Sequence, residues 1–260
     1  MRKLLYYVVN AIHWIAIVIT AVLGFVIKVD TAWISGNFAP LLPLLFWLKA
    51  RTWWLFISSL AAALSAVIVK KVGAPWVRDA VQHVLDEMRT HALRDQPEGP
   101  SYHYRVTLFR RTSFCWRALK DRRTPIGGYL VPFARSGHVT QKVTVYFSVP
   151  DSADGAEGVA GEAFVGGYTV VREDLPDVSR DGALKRDLDR YASETFVTVN
   201  WLRKERSTAR SLIGFPIRVK GRHWGAIVVD SHSERIQDKD RIIKSYELVS
   251  VVLGELLERS

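Results

Sequence analysis

The stretch SLIGFPIRVKGRHWGAIVVDS, residues 211–231, predicts two β-strands joined by a tight turn at Lys220-Gly221. Pro216 interrupts the first strand, which predicts that this strand is an edge or carries a bulge. Both faces of the second strand are apolar: Trp224, Ala226 and Val228 share one, and Gly225, Ile227 and Val229 share the other. A strand of this kind is covered on both sides. We therefore expect helices on one side of the sheet and loops or a ligand on the other.

The segment after this hairpin, residues 238–259, has the pattern of an amphipathic helix. Its apolar residues follow a 4-3-4-3 spacing: Ile242, Tyr246, Val249, Leu253 and Leu256. That spacing suits packing on a sheet, and it equally suits a helix–helix seam between two copies of the chain.

The chain before the hairpin alternates helical and extended patterns. Apolar spacing predicts helices over about 77–93 and 182–195, and the stretch 158–167, rich in small residues, predicts one or two helical turns. Strand composition marks residues 102–111, 127–137 and 168–171, and residues 142–150 form either an extended piece or a short strand. In the first of these strands, Val106 and Leu108 alternate with polar Arg105 and Thr107. This order of helix, strands, irregular middle, hairpin and helix predicts an α+β domain with a mainly antiparallel sheet.

Two of these segments resemble the GAF domain family. GVAGEAF, residues 158–164, is similar to the family's glycine-alanine stretch, and 211–231 is similar to its final hairpin. The closing helix also fits, so the resemblance covers about residues 72–258. It implies a GAF-like central antiparallel sheet of five or six strands, with flanking helices and a small-molecule pocket on the opposite face. Members of the family bind cyclic nucleotides, tetrapyrroles or other small molecules, or simply dimerise.

The sequence departs from the better-known ligand subclasses of that family. The Asn-Lys-x-Phe-type signature for cyclic nucleotides is absent, because the corresponding region reads DSHSERIQDKD, residues 230–240. Cys115 lies in an early strand or loop, where it does not suit a covalently attached bilin. A methionine-sulfoxide reductase of this fold would need several cysteines, whereas this chain has one.

The N-terminal region has membrane-spanning composition. Residues 4–27 contain no charged side chain, and His13 is their one ionisable residue. A helix needs about 20 apolar residues to cross a bilayer, whereas the apolar core of a signal peptide has about 7–15. No good cleavage site follows, so we expect a retained helix. A second uncharged run, 52–69, would be about 27 Å long as a helix, just enough to cross.

The connector between these runs is apolar but broken by Pro40 and Pro43. It could be a third span, but only three residues would then join each pair of helices, and the two prolines would disturb the middle one. We favour an interfacial segment or an extension of the second helix. Four tryptophans flank this region, which fits aromatic residues at headgroup level: Trp33, Trp47, Trp53 and Trp54.

Charge predicts the orientation of a two-span hairpin. Five basic residues lie outside the two spans: Arg2, Lys3, Lys70, Lys71 and Arg78. Three lie in the connector: Lys28, Lys49 and Arg51. The positive-inside rule then places both termini in the cytoplasm of a multi-pass protein of the cell (inner) membrane. The predicted domains are a helical membrane region, 1–71, and a cytoplasmic GAF-like domain, 72–260.

The net charge of +10 belongs mainly to the membrane region. Residues 1–71 carry seven basic and one acidic side chain, against 29 and 25 in residues 72–260. A nucleic-acid-binding protein would concentrate basic charge in its soluble part, so we expect no nucleic acid. The dense patch RKERSTAR, residues 203–210, could bind phosphate, although a solvated loop face is the favoured interpretation.

The sequence contains no HExxH, P-loop or GxSxG motif, so we expect no enzyme. Five residues are candidates for ligand binding near the pocket that the resemblance implies: Tyr129, Arg135, Glu162, Phe164 and Trp224. Arg135 could bind a phosphate or carboxylate, or form a structural salt bridge. Glu162 could accept a ligand donor or cap a helix. We predict no metal site, and the identity of any cofactor is open.

The favoured function is a membrane-anchored sensor or signalling module, a homo-oligomer that binds a small ligand or partner in the cytoplasm. One alternative is a nucleotide-gated membrane effector of the antiviral-defence type, which would act by oligomerising in the bilayer. Another is an oligomerising scaffold with an empty pocket.

Overall fold

The computed structural model describes residues 2–28, 43, 46–47, 50, 53–72, 75–92, 104–136, 145–150, 155–180, 182–205 and 207–258. The chain divides into two compact units, Met1–Val77 and Arg78–Arg259. The sequence pattern placed the boundary after residue 71. Most of the connector, on which the interfacial-segment and third-span interpretations depend, lies outside the described residues.

The first unit contains two long helices, α1 (Arg2–Lys28) and α2 (Trp53–Val72). They pack as an antiparallel pair with a polar seam. Thr20 Oγ1 donates to Ser58 Oγ at 2.8 Å. Further along the seam, His13 Nδ1 lies 3.1 Å from Ser65 Oγ. The large apolar side chains face outward instead, among them Leu4, Trp14, Phe25, Phe56 and Leu64.

Among the described helices, one contains a stretch long and apolar enough to cross a membrane, Leu4–Val26, with 23 residues. The apolar part of α2, Trp53–Val69, is shorter. The first predicted span therefore has the required length and composition, and the second, 52–69, forms a helix that falls short of that length.

The second unit is built around one antiparallel sheet of six strands in the order β3-β2-β1-β6-β5-β4. The strands are β1 (Arg105–Phe114), β2 (Ile126–Arg135), β3 (Phe147–Ser148), β4 (Val170–Arg172), β5 (Ser211–Val219) and β6 (Arg222–Ser231). The helices are α3 (Pro75–Ala92), α4 (Trp116–Lys120), α5 (Gly158–Gly166), α6 (Lys185–Thr195), α7 (Val199–Glu205) and α8 (Lys239–Glu258). This architecture confirms the predicted α+β class.

The hairpin of β5 and β6 forms as the sequence predicts. Lys220 and Gly221 both have positive φ, 51° and 74°, which is the conformation of a type I′ turn. Pro216 lies beyond the three β5 residues that pair with β4, and the ladder with β6 shifts register at Ile217/Arg218. The proline therefore occupies a locally unpaired edge next to an irregularity, where its missing N–H is tolerated.

Helices cover both faces of the sheet. On one face, the Tyr246 ring of α8 stacks on Phe215 of β5 with centroids 4.3 Å apart. On the other face, α5 lies so close to β5 that a Cβ on Gly214 would come within 2.8 Å of the Val159 carbonyl oxygen. The sequence analysis predicted α3, α5, α6 and α8 but missed α4 and α7, which are only five and seven residues long.

Candidate functional site

A cavity of about 240 Å³ lies in the second unit, between the sheet and the helices α5, α6 and α7. The sheet contributes Arg105, Thr107 and Phe109 from β1 and Val228 and Asp230 from β6. These five side chains share a face because residues alternate along each strand and the two strands pair in register. The cavity therefore has a floor of fixed geometry.

Aromatic rings form one side of the cavity. Phe147 lies between two other rings, with its centroid 5.4 Å from that of Phe109 and 5.7 Å from that of Trp201 on α7. Val228, which is buried, adds to the apolar surface. This side suits the apolar body of an organic ligand.

Charged side chains also line this cavity. Arg105 Nε donates to Asp230 Oδ1 at 2.5 Å, so these two charges compensate each other. Arg135, the last residue of β2, pairs in register with Thr107 and also lines the cavity. Its Nε is buried and has no hydrogen-bond partner. Burial lowers the pKa of Arg135, and the neighbouring charge of Arg105 lowers it further.

Hydroxyl groups from the segment after α7 complete the polar part of the wall. Ser207 Oγ lies 2.8 Å from the hydroxyl of Tyr191 on α6, and Thr208 Oγ1 lies 2.7 Å from Nε2 of His232. Burial raises the pKa of Tyr191 to about 12, so its phenol is neutral near pH 7. The patch RKERSTAR thus divides: Arg203 and Lys204 are exposed on α7, whereas Ser207 to Ala209 line the cavity.

Glycine at position 158 allows α5 to begin beside the cavity. Gly158 has a φ of +74°, and a Cβ there would lie 2.6 Å from the Phe147 ring. Just before it, Glu157 accepts hydrogen bonds from Arg123 Nη1 at 2.7 Å and from the Ser148 backbone at 3.0 Å. These contacts fix the start of α5 against β3.

The structure does not bring the five sequence-predicted site residues together. Arg135 lines the cavity. Glu162 instead forms an ion pair with Arg172 of β4, at 2.7 Å. Arg172 Nε also donates to the Glu194 carbonyl at 2.7 Å, so the pair connects α5, β4 and α6. Glu162 is therefore placed as a brace outside the lining.

The three predicted aromatic residues also lie elsewhere. Tyr129 packs with Tyr146, centroids 5.8 Å apart, in a buried cluster that includes Cys115. Phe164 belongs to the core between α5 and the sheet. Trp224 is half-buried and meets the ring of Phe133 edge-on at 5.4 Å.

Sequence reasoning missed most of the lining. Arg105 and Thr107 were recognised only as the polar positions of an alternating strand, whereas that polar face is the floor of the cavity. Asp230 carries no local signal of a site, because the partner of its carboxylate, Arg105, belongs to a strand far away in sequence. Trp201 and Tyr191 carry no local signal, because their helices bring them to the cavity only after folding. In the described part of the chain, no group of three or more His, Cys, Asp or Glu side chains could hold a metal ion.

No family model matches the sequence. No curated protein matches it either. Similar solved structures include the type II free methionine-R-sulfoxide reductase from Thermoplasma acidophilum, with 14% identity over 70% of this chain and 95% of that chain and a TM-score of 0.41.

Residues 122 to 287 of a methyl-accepting chemotaxis protein give 18% identity over 70% of this chain and 89% of that chain, with a TM-score of 0.42. The GAF domain of an Acinetobacter phosphoenolpyruvate-protein phosphotransferase gives 13% identity, 70% and 82% coverage and a TM-score of 0.40. Sequence identities and TM-scores of this size support no statement about the activity of this chain.

Proposed function

We propose that this chain is a membrane-anchored sensor that binds a small ligand in the cavity between the sheet and α5–α7. The observation that supports this most directly is the cavity's composition: its lining combines aromatic rings with Arg135, whose buried Nε has no hydrogen-bond partner. Ligand sites combine apolar walls with a few such fixed polar groups.

Binding without catalysis is the favoured activity. Asp230 accepts a hydrogen bond from Arg105 Nε at 2.5 Å, so its carboxylate is already engaged in an ion pair. Tyr191, with its pKa raised to about 12, is a poor proton donor near pH 7. The lining therefore suits recognition of a ligand better than proton transfer to or from it.

The test is recovery of a bound small molecule from the full chain purified in mild detergent. Val228→Trp would fill the cavity from its floor, whereas Ile126→Trp, at an exposed position of β2 outside the cavity lining, is the matched control. Mass spectrometry of the denatured extract is expected to detect a compound with the wild type and the control, and to lose it with Val228→Trp. Identical extracts from a folded Val228→Trp protein would overturn the proposal.

Anchoring would come from α1 and α2, which we propose cross the bilayer as a hairpin. Their apolar side chains point outward while Thr20, Ser58, His13 and Ser65 pair along the seam, as expected where lipid surrounds a helix pair. The 17-residue apolar part of α2 spans about 26 Å, and interfacial tryptophans or local thinning of the bilayer can accommodate the difference.

The proposed topology has both termini in the cytoplasm. Reporter fusions at the C-terminus and in the connector test it: the terminal fusion should report the cytoplasm and the connector fusion the opposite side. A periplasmic signal from the terminal fusion would contradict the two-span hairpin and favour an odd number of crossings.

We further propose that two copies associate through α8. Leu248, Val251 and Val252 are 75%, 69% and 48% exposed and lie on one stripe. If two α8 helices cross antiparallel with Leu248 of one copy beside Val251 of the other, Lys244 of each comes opposite Glu255 of the other. This charge complementarity favours a second copy as the occupant of the stripe.

A further inference from the structure

The position of Arg135 indicates the chemical class of the ligand. Its Nε is buried and makes no hydrogen bond. Buried polar groups in folded proteins almost always have a partner, and a charged one without a partner is costly. A group that lines a cavity can obtain that partner from a ligand, and a guanidinium requires an acceptor, most favourably an anionic one.

The neighbouring Arg105, in contrast, has a hydrogen-bond partner for its Nε. Arg105 donates from Nε to Asp230 at 2.5 Å, and its Nη2 also contacts that carboxylate. Asp230 therefore compensates Arg105 and leaves Arg135 as the cation available to a ligand. Both backbone groups of Arg135 are held by one side chain of α3, because Gln82 accepts from its N–H and donates to its carbonyl. The end of β2 is thus fixed before any ligand arrives.

The charges of the lining favour a singly charged anion. Arg105 and Arg135 contribute two positive charges to the lining, and Asp230 and Glu205 contribute two negative ones, so its formal charges sum to zero. A monoanion would bring this sum to about −1, whereas a dianion such as phosphate would bring it to about −2 in a partly desolvated space. Because electrostatic repulsion is stronger at low dielectric, binding of a dianion is disfavoured more than binding of a monoanion. A carboxylate also matches the planar fork of a guanidinium.

The remaining walls indicate the body of the ligand. Phe109, Phe147 and Trp201 supply aromatic surface beside the charged end. The volume of about 240 Å³ is below the range of about 300–1,000 Å³ that is usual for drug-sized ligands. A small compound with one ring or a short branched chain would fit this space, and a nucleotide would not.

We infer that the ligand is a small organic monocarboxylate, with its carboxylate bound by Arg135 and its apolar body against Phe109, Phe147 and Trp201. This inference rests on the proposed ligand-binding function and makes it more specific. It names Arg135 as the residue that selects for charge and the aromatic side as the one that selects for shape.

The experiment uses the full chain in detergent and four probes: benzoate, phenylacetate, the neutral benzamide and inorganic phosphate. Calorimetry and thermal denaturation are measured together. Benzoate or phenylacetate should bind saturably and raise Tm, benzamide should bind at least about 10-fold more weakly, and phosphate should give no saturable binding. Loss of one charge-assisted hydrogen bond corresponds to a roughly 10- to 150-fold weaker Kd, which is expected for Arg135→Gln.

Two variants control for charge and for folding. Arg110→Gln removes another half-buried arginine whose pKa is lowered by burial, at a position outside the cavity lining, and should leave carboxylate binding unchanged. Arg135→Lys keeps the charge but loses the fork, so its Kd should lie between those of the wild type and Arg135→Gln. Tm without ligand identifies any variant that has lost its fold.

The outcomes separate this inference from the proposed function. Equal binding of benzoate and benzamide, or unchanged benzoate binding by Arg135→Gln, overturns the carboxylate inference. If that binding is still abolished by Val228→Trp, the cavity remains a ligand site and the sensor proposal holds. If no carboxylate probe binds, the inference is overturned for aromatic monocarboxylates, and the extract experiment decides the proposed function independently.

Discussion

Arg105 and Asp230 stand directly opposite each other on β1 and β6, and their side chains form an ion pair in the cavity wall. Only 10% of the Asp230 side chain and 23% of the Arg105 side chain are exposed. The β-ladder places both residues on the cavity face, so their separation is set by the spacing of neighbouring strands. This ion pair engages the guanidinium of Arg105, one of the two arginines that line the cavity.

Replacing Asp230 with asparagine should change both stability and selectivity. Arg105 would lose its charged partner, and removing one partner of such a hydrogen bond costs about 1–3 kcal/mol. The lining would also gain one positive charge, so inorganic phosphate should now bind saturably. Chemical denaturation and calorimetry of Asp230→Asn check the two effects. Unchanged stability together with no phosphate binding would show that the pair does not control the cavity's charge.

Gly214 determines how closely α5 approaches the sheet. A Cβ at this position would lie 2.8 Å from both the Cγ1 and the carbonyl oxygen of Val159, and 3.1 Å from Ala163 Cβ. Since a backbone atom cannot move aside cheaply, Gly214→Ala should displace α5 and cost about 1–3 kcal/mol, as overpacked cores do. Val159 lines the cavity, so ligand binding should weaken as well.

Gly254 offers the matched control. It lies within α8, where a Cβ would come no closer than 3.8 Å to Arg218 O. Gly254→Ala should therefore stabilise the protein by about 0.5–1 kcal/mol through helix propensity. The free energies of unfolding of the two variants should have opposite signs relative to the wild type. Equal effects would mean that the contact between α5 and β5 is not as tight as the geometry indicates.

Glu162 should behave as a structural brace. Its ion pair with Arg172 is partly exposed, 18% and 27% for the two side chains, so Glu162→Gln should cost only about 0.5–1.5 kcal/mol. Carboxylate binding in the cavity should be unaffected, because Glu162 is not part of the lining. A fall in ligand affinity without a fall in Tm would instead restore Glu162 as a ligand-binding residue.

The elements that could be predicted from sequence are those with a strong local signal. Lys220-Gly221 encodes the hairpin turn, and the apolar spacing from Ile242 onward encodes α8. Helix α7 could not be predicted, because it has only seven residues and is held in place by contacts with distant segments. One such contact is the hydrogen bond from Lys204 to Asp121 at 2.5 Å.

The site was less predictable than the fold for the same reason. A pocket joins residues that are far apart in sequence, such as Phe109, Trp201 and Asp230, and nothing in a local pattern records that proximity. Glu162 was predicted as a ligand group because it is a carboxylate among small residues, but its partner, Arg172, comes from another element. Arg135 was singled out because the resemblance places the end of its strand near the implied pocket, and in the structure it lines the cavity.

The proposed association through α8 predicts a specific loss of oligomers. Leu248→Glu and Val251→Glu would place like charges at the centre of the apolar stripe, whereas both side chains are already exposed and contribute little to folding. Light scattering of the full chain in detergent should shift from dimer to monomer with unchanged Tm. Exchanging the charges in Lys244→Glu with Glu255→Lys should retain the dimer, and a dimer that survives Leu248→Glu would exclude this interface.

Acid should release α7 through Asp121. This carboxylate accepts hydrogen bonds from Lys204 of α7 and from the Tyr146 hydroxyl, both at 2.5 Å. The bond from Lys204 is the largest cause that lowers the pKa of Asp121 below its usual value of 3.8, followed by the bond from Tyr146. Because the folded-state pKa is depressed, the stabilisation is fully present above about pH 4 and is lost as the pH falls through the folded-state pKa.

The comparison of wild type with Asp121→Asn tests whether this stabilisation is lost as the pH falls. From pH 5 to pH 7 the free energy of unfolding of the wild type should exceed that of Asp121→Asn by a constant margin. The margin should be only about 1 kcal/mol, because the ion pair is partly exposed. Below about pH 4 the margin should shrink as the carboxylate is protonated. Asp189→Asn, at an exposed position of α6, should leave Tm at pH 7 unchanged. A margin that instead grows in acid would show that Asp121 does not act as a charged acceptor for α7.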